Sequence, residues 1–415
     1  MFRARMTYIV LISLTAFLLS CGNSHTLKRS ESELRFNSGE HRLLGDAAYR
    51  QVCSRFSSCP PVLKRADGLF TFTYGELIAF SGDFYQSPEQ MFFETETKSW
   101  SHPLFNDPSA VQKLISGELE FVEEQMFKGA MSPYPDETLG YIVAFPSYIK
   151  TSLDNIEHFG WHNIKAYVRY HAAALRLAQQ ASMQRHSQRE AAAELFQQAV
   201  FVNSFADHFL TDGFAAGHLR NPRAESLSWG KKEGQSILAV QALTKLLHDQ
   251  DHLLKNSEGK GLRVLNARGD RWATRSDGEL FALASWEEPH VRIPLEAVEL
   301  SLTELLRTFE SGAEPEGVYA AIELLPYLDP TEEALSDFFR PDIDTETLDA
   351  WIKGLGYVSK VNWLTGLNAE LARQYFAALP EIMTDFRQHI RDESRDPSLQ
   401  SRLPSALYEG MINLR

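Results

Sequence analysis

An all-α fold is predicted by three features of the 415-residue sequence. Apolar residues recur mostly at three-to-four residue spacing from about residue 40 onward. The stretches 166–180 (AYVRYHAAALRLAQQ) and 190–209 (EAAAELFQQAVFVNSFADHF) are rich in Ala and Leu at that spacing, the signature of amphipathic or buried helices. Ser236 to Leu254 and Leu295 to Phe309 repeat the pattern. Between them, Gly261 to Leu280 carries Gly-Asp and Asp-Gly turn pairs beside short β-type runs, which predicts a small hairpin or irregular insertion. After about residue 312, Pro315, Pro326, Pro330, Pro341, Gly354, Gly356 and Gly366 separate short helical segments, so 312–415 is expected to be a helical extension used for packing or partner contact. At 44% hydrophobic, 11% aromatic and 23% charged, the composition suits a globular core and excludes disordered, collagenous or coiled-coil chains.

The N-terminus reads as an export signal. Arg3 and Arg5 precede an apolar stretch, Tyr8 to Leu19, too short to span a bilayer as a mature helix. Leu-Leu-Ser-Cys, ending at Cys21, resembles the lipobox of bacterial lipoproteins, which implies lipid modification of Cys21 after removal of residues 1–20. No Asp follows Cys21, and by the same resemblance the expected location is the outer membrane, on its periplasmic or surface face. Residues 21–38 are polar and read as a tether to a folded body beginning at about 39. Cys53 and Cys59 are then the remaining cysteines, and an oxidising compartment makes a local disulfide between them plausible, although spacing alone does not fix pairing. The net charge of -14 repels polyanions and argues against long nucleic acids as partners.

The chemistry concentrates in Asp207-His208-Phe209-Leu210-Thr211-Asp212-Gly213-Phe214-Ala215-Ala216-Gly217-His218. Residues i and i+4 share a helix face, so His208 and Asp212 can hold one metal through an imidazole nitrogen and a carboxylate oxygen. Gly213 and Gly217 allow a bend that turns His218 toward a neighbouring ion. Thirty residues on, His248-Asp249-Gln250-Asp251-His252 offers a second chelating face, through His248 with His252 (i, i+4) or with Asp251 (i, i+3).

This pattern resembles the superfamily of zinc-dependent phospholipases C and single-strand-specific nucleases, whose members carry His-x3-Asp-x5-His followed by His-x3-Glu. His208, Asp212 and His218 match the first element. Upstream, His41 resembles the family's early helical His, Asp83 in Ser-Gly-Asp-Phe-Tyr its interhelical Asp, and His158 its His-Phe ligand. The matches form a ladder over about residues 40 to 260. The resemblance implies an all-α phospholipase C-like body over 39–311 that holds two or three zinc ions. One ion would sit on Asp83, His158, His208 and Asp212, and a second on His218 and His248 with a partner. A third would be held by His41, with Asp212 bridging. Two departures stand out: His252 replaces the family's Glu, leaving His252, Asp251 or Asp249 to complete the second ion, with His252 favoured by its i+4 alignment. The mature N-terminal Trp that the family uses as a ligand also has no counterpart here.

Clustered zinc suits phosphodiester hydrolysis because it lowers the pKa of a bound water and stabilises charge on phosphoryl oxygens. Asp83 is then expected as ligand and general base, and Asp212 as the bridge, the two residues carrying catalysis. Phe84 and Tyr85 beside Asp83 are read either as core or as walls of a pocket for a quaternary ammonium headgroup. The leading expectation is a metal-dependent phosphodiester hydrolase of phospholipase C type, anchored at a membrane and releasing diacylglycerol and a phosphorylated headgroup from membrane phospholipids. A nuclease or nucleotidase of the same fold, with Arg220 and Arg223 contacting phosphate, is the alternative, and a non-catalytic metal-binding lipoprotein is a third reading. His162 and His171 read as supports of the ligands or as surface residues. His25, His102, His186, His290 and His389 read as surface residues.

Overall fold

The computed structural model describes residues 38–93, 106–128, 138–148, 151–152, 155–253, 261–275, 277–281, 284–331, 344–354 and 366–414. Residues 1–37, which include Cys21 and all but the last residue of the stretch read as leader and tether, lie outside the described residues, whereas Ser38 is buried at the start of the first helix. The chain is mostly helical. Its centre is a pair of 24-residue helices, α6 (Trp161–Gln184) and α7 (Arg189–Asp212), joined by a four-residue turn that sets them antiparallel. Every residue of α7 from Ala199 to Asp212 is buried. A helix enclosed on all sides belongs in the middle of a core, and here α2 (Tyr74–Phe80), α3 (Pro88–Phe93) and α10 (Pro289–Ser311) pack on it beside α6, while α1 (Ser38–Cys53) reaches its end through His41, bonded to Thr211.

Local signals account for the helix ends. Thr73 caps α2 with a reciprocal capping box: its hydroxyl accepts from Glu76 N–H, and the Glu76 carboxylate accepts from Thr73 N–H. Helix α10 begins with Pro289 and ends at Gly312, whose φ of 76° is the left-handed stop that glycine tolerates. Helix α4 (Pro108–Lys128) packs on α1 and the short α5 (Thr138–Ala144) on α4, while α8 (Arg223–Lys232) and α9 (Ile237–Leu253) follow the centre. Cys53 and Cys59, at the end of α1, are joined at 2.08 Å, and a two-stranded ribbon (β1 Leu63–Lys64, β2 Thr71–Phe72) leads into α2.

The insertion after α9 is a hairpin, β3 (Leu262–Leu265) against β4 (Arg271–Thr274), with Val264 opposite Trp272. It is larger than expected, because β5 (Tyr327–Leu328) adds to β3 and makes the order β4-β3-β5. The segment after 312 contains α11 (Thr345–Gly354), α12 (Ala369–Glu393), α13 (Pro397–Gln400) and α14 (Ser405–Ile412). Leu348, Tyr375, Phe386, Ile390 and Leu407 in this segment belong to the same apolar core as Leu43 and Phe205. No described helix is long and apolar enough to cross a membrane.

Candidate metal centre

The C-terminal end of α7 points at the buried ends of four other segments. His208 and Asp212 lie one helical turn apart on α7, and His41 reaches them from α1, where its ring stacks on that of His208 at 4.5 Å between centroids. Asp83 follows α2 in a tight turn, Ser81–Gly82–Asp83, in which Gly82 has a φ of 71°. A Cβ at Gly82 would lie 2.8 Å from the His208 ring, so glycine is required there on two counts. His158 ends a single 3-10 turn (Ile156–His158) just before α6.

The donor atoms converge on Asp212. Its Oδ2 is 2.8 Å from His158 Nδ1 and 3.6 Å from His208 Nε2, and its Oδ1 is 3.6 Å from His41 Nε2 and 3.8 Å from His218 Nδ1. His158 Nδ1 and His208 Nε2 are 3.2 Å apart. Two overlapping triads have donor atoms within 4.8 Å of one another: His41, His208 and Asp212, and Asp83, His158 and His208.

A third triad lies beside them: His218, His248 and Asp277. Asp277 Oδ2 is 2.9 Å from His248 Nε2 and 3.3 Å from His218 Nε2. Cross-links between segments place each member. His158 and His218 are tied reciprocally: His218 Nδ1 bonds the His158 carbonyl at 2.8 Å, and the Gly160 N–H bonds the His218 carbonyl at 2.6 Å. The 216–222 turn is bound to α9 by Asn221 Nδ2 on the Thr244 carbonyl and by Arg220 on Asp251. Gly217 then lets His248 approach, since a Cβ there would lie 2.5 Å from His248 Cδ2. The far end of β4 docks on the same turn: Ala216 N–H bonds the Arg275 carbonyl, and Thr274 Oγ1 donates to the Phe214 carbonyl. That docking carries Asp277 to His218.

The eight side chains are buried: His41, His208 and Asp277 are 0% exposed, and Asp83, the most open, is 9% exposed. Their hydrogen bonds decide what they can hold. Thr211 Oγ1 donates to the Asp207 carbonyl, so it accepts from His41 Nδ1–H at 2.9 Å, which leaves His41 Nε2 as a lone pair facing Asp212. In the same way His208 Nδ1–H donates to the Ile78 carbonyl at 3.0 Å and leaves Nε2 inward. Rings held at one nitrogen with the other turned to a carboxylate have the arrangement of metal-ligating histidines. Burial first, and then neighbouring imidazoles, push His41 and His208 well below the usual histidine value, so both are neutral, the ligating form.

The carboxylates want a cation. Burial pushes Asp212 well above the usual carboxyl range, an effect that Asp83 and Asp277 reinforce and His218 partly offsets. For Asp277 burial acts in the same direction, but His218 and His248 outweigh it and hold that carboxyl low. Among the described residues neither Asp212 nor Asp277 pairs with Lys or Arg, and the buried Asp277 Oδ1 takes no hydrogen bond. A buried carboxylate without a counter-charge costs several kcal/mol, on the order of 2–7 even for a neutral polar group, and a divalent ion removes that cost. The donor set of imidazole nitrogens and carboxylate oxygens thus fits metal ions, and these buried His and Asp groups can bind them.

The structure brings His41, Asp83, His158, His208, Asp212, His218 and His248 together, and it changes several expectations. Asp251 is not at the centre: its carboxylate grips Arg220 with two bonds, Nε–Oδ2 at 2.7 Å and Nη2–Oδ1 at 2.5 Å, in a pair 1% and 2% exposed. The same pair removes Arg220 from any phosphate contact. Phe84 and Tyr85 wall no pocket, being 1% and 0% exposed within an aromatic core with Phe80, Tyr141, Phe145 and Tyr148, because that face of the turn packs inward under α5. Asp277, which the sequence reading did not single out, completes a triad with His218 and His248. The side chains of His252 and Asp249 lie outside the described residues. His290, expected at the surface, is buried at 7% exposure, and His171 is buried between Asn203 and Glu304. His162 and the half-exposed His389 face the buried Glu225 from α6 and α12. No protein-family model, curated protein or solved structure matches this chain.

Proposed function

We propose that the chain is a zinc-dependent phosphodiester hydrolase of the phospholipase C/single-strand nuclease type, with two or three ions in the buried cluster. One observation carries the reading: imidazoles fixed at their outer nitrogens turn their inner nitrogens on carboxylates that, among the described residues, have no Lys or Arg partner. Zinc in such a cluster supplies a lowered pKa to a bound water and positive charge against phosphoryl oxygens. The chain's own groups do the rest. His41, His158, His208, His218 and His248 orient, Asp212 sits between four imidazoles, and Asp83, the most open carboxylate, is the group placed to take a proton from an entering water.

Between substrates, phospholipid is favoured over polynucleotide. The net charge of -14 opposes a polyanion, and Arg220, two residues after His218 in the chain, is spent on Asp251. The lipobox-like Leu-Leu-Ser-Cys suggests that the chain is held at a bacterial membrane, among such substrates. The depth of burial favours a second reading, a closed metal site without turnover, because structural zinc sites are closed whereas catalytic ones keep an open position. The test is metal analysis of the purified protein joined to an assay for phosphorylated headgroup released from mixed-lipid vesicles, with single-stranded DNA in a parallel arm. Headgroup release that chelator abolishes is expected. Bound zinc with neither lipid nor DNA hydrolysis would establish the closed-site reading, and absence of stoichiometric metal would overturn both.

A further inference from the structure

Asp277 reaches the centre from a loop outside the named helices and strands, and contacts from elsewhere in the chain must hold that loop. The residue doing so is Glu40, the immediate neighbour of His41 on α1. Its side chain is fully buried, and its two carboxylate oxygens receive two backbone donors, Gly278 N–H at 2.8 Å and Leu280 N–H at 2.9 Å. These donors lie one and three residues after Asp277 in the chain. Gly278 has a φ of 74°, which turns its N–H inward in a conformation that a side chain would strain. The loop is therefore clipped to α1 one residue from a member of the first cluster.

We infer that Glu40 is a positioning residue for the second metal group, fixing Asp277 between His218 and His248 before any ion arrives. The inference rests on the metal reading proposed above. Its physical basis is geometric. A carboxylate accepts from both N–H groups at once, whereas the amide of a glutamine has one accepting oxygen and would set its own NH2 against the other donor. Releasing one of the two bonds frees the loop, and partners in this outer layer typically govern metal affinity by about 10- to 100-fold. Because Glu40 and His41 are adjacent, α1 sets the position of both groups, through a side chain in one and through the backbone of a distant loop in the other.

The full chain, Glu40→Gln, Asp277→Asn and the double variant can be stripped of metal and titrated with cobalt(II), followed by visible absorption and by competition with a chromophoric chelator. The parent is expected to fill two classes of site. In Glu40→Gln the first class keeps the parent affinity and the second weakens by about 10- to 100-fold. Asp277→Asn should weaken the same class, and the double variant should lose nothing more, because Glu40 acts through Asp277. Equal affinity of parent and Glu40→Gln for both classes would overturn the inference, as would weakening of the first class alone. A parent that binds no cobalt would overturn the metal reading and this inference with it, a result read before any variant is compared. The parent also supplies a measurement independent of whether a variant folds: in metal-free protein the Gly278 and Leu280 amides are expected to exchange slowly with solvent. Fast exchange that slows only when metal is added would show that the ion, and not Glu40, forms the loop.

Discussion

Asp251 separates two accounts of this chain, because the i+3 spacing from His248 offers it as a ligand while the structure commits it to Arg220. In Asp251→Asn the two bonds from Arg220 lose their charged acceptor, while the guanidinium, 1% exposed, stays buried. Breaking one side of a buried pair costs about 3–5 kcal/mol, chiefly the penalty of the stranded charge. At roughly 2.1 cal/mol/K per residue, 415 residues give an unfolding entropy near 0.9 kcal/mol/K, so the melting temperature of metal-free protein should fall by about 3–6 °C. Zinc per chain should not change. Joint replacement, Arg220→Met with Asp251→Leu, should recover most of the loss, because it removes both charges and keeps the volume. Differential scanning calorimetry of chelator-treated protein, with zinc counted on untreated samples, makes the comparison. Loss of one zinc per chain at an unchanged metal-free melting temperature would refute the argument and restore Asp251 as a ligand.

Three further outcomes are expected. Gly217→Ala places a methyl group 2.5 Å from His248 Cδ2, so His248 must swing away; cobalt titration should show the second class of site lost while the first persists, and unchanged binding would mean that the turn yields instead. Asp212→Asn should abolish zinc uptake by the first cluster and phosphodiester hydrolysis, yet leave metal-free stability unchanged or raised by about 1 kcal/mol, since it removes an acid whose buried charge is disfavoured; a large metal-free destabilisation would count against a ligand role. Burial, with Arg275 adding to it, pushes His290 down to about 3. The unfolded chain binds that proton below about 6.5 and the folded one does not, so stability should fall as pH drops from about 6.5 toward 3, by up to about 1.4 kcal/mol per unit. The slope should flatten in His290→Gln, and identical pH-stability curves for the two proteins would rule out the contribution.

The helical body was legible because its determinants are local. The spacing of Ala, Phe and Leu along 190–209 forecasts a buried helix, and His208 and Asp212 face together by helical geometry alone. Asp277 was not legible, although it was in view: Asp277-Gly278 reads as a turn pair, and it is one, with the Asp turned to the centre by a loop 29 residues beyond His248. No spacing rule connects a hairpin exit to a helix end; contacts remote in sequence make the connection, the docking of Thr274 and Arg275 on the 214–216 turn and the bonds of Gly278 and Leu280 to Glu40. For Phe84 and Tyr85 the sequence left core and pocket wall both open, and the structure makes them core. An aromatic pair beside a carboxylate looks the same whether it lines a cavity or fills one, and the choice belongs to α5, which is remote in sequence. The pairing of Asp251 with Arg220 likewise spans a turn and a helix, so helical periodicity narrows the carboxylate's direction without naming its partner.

Strand β5 is two residues long, yet its place in the sheet changes where the working unit ends. It pairs with β3, β3 pairs with β4, and β4 runs toward the Asp277 loop. Tyr327 on β5 is itself packed against Gly410 of α14, where even one added carbon would lie 2.2 Å from its ring. A gene shortened after residue 311 would keep every donor atom of the centre and still remove one edge of the sheet beside that loop, together with the helix behind it. The minimal folding unit and the minimal ligand set therefore have different lengths. A boundary drawn around the histidines and aspartates would cut through the scaffold that aligns the last of them.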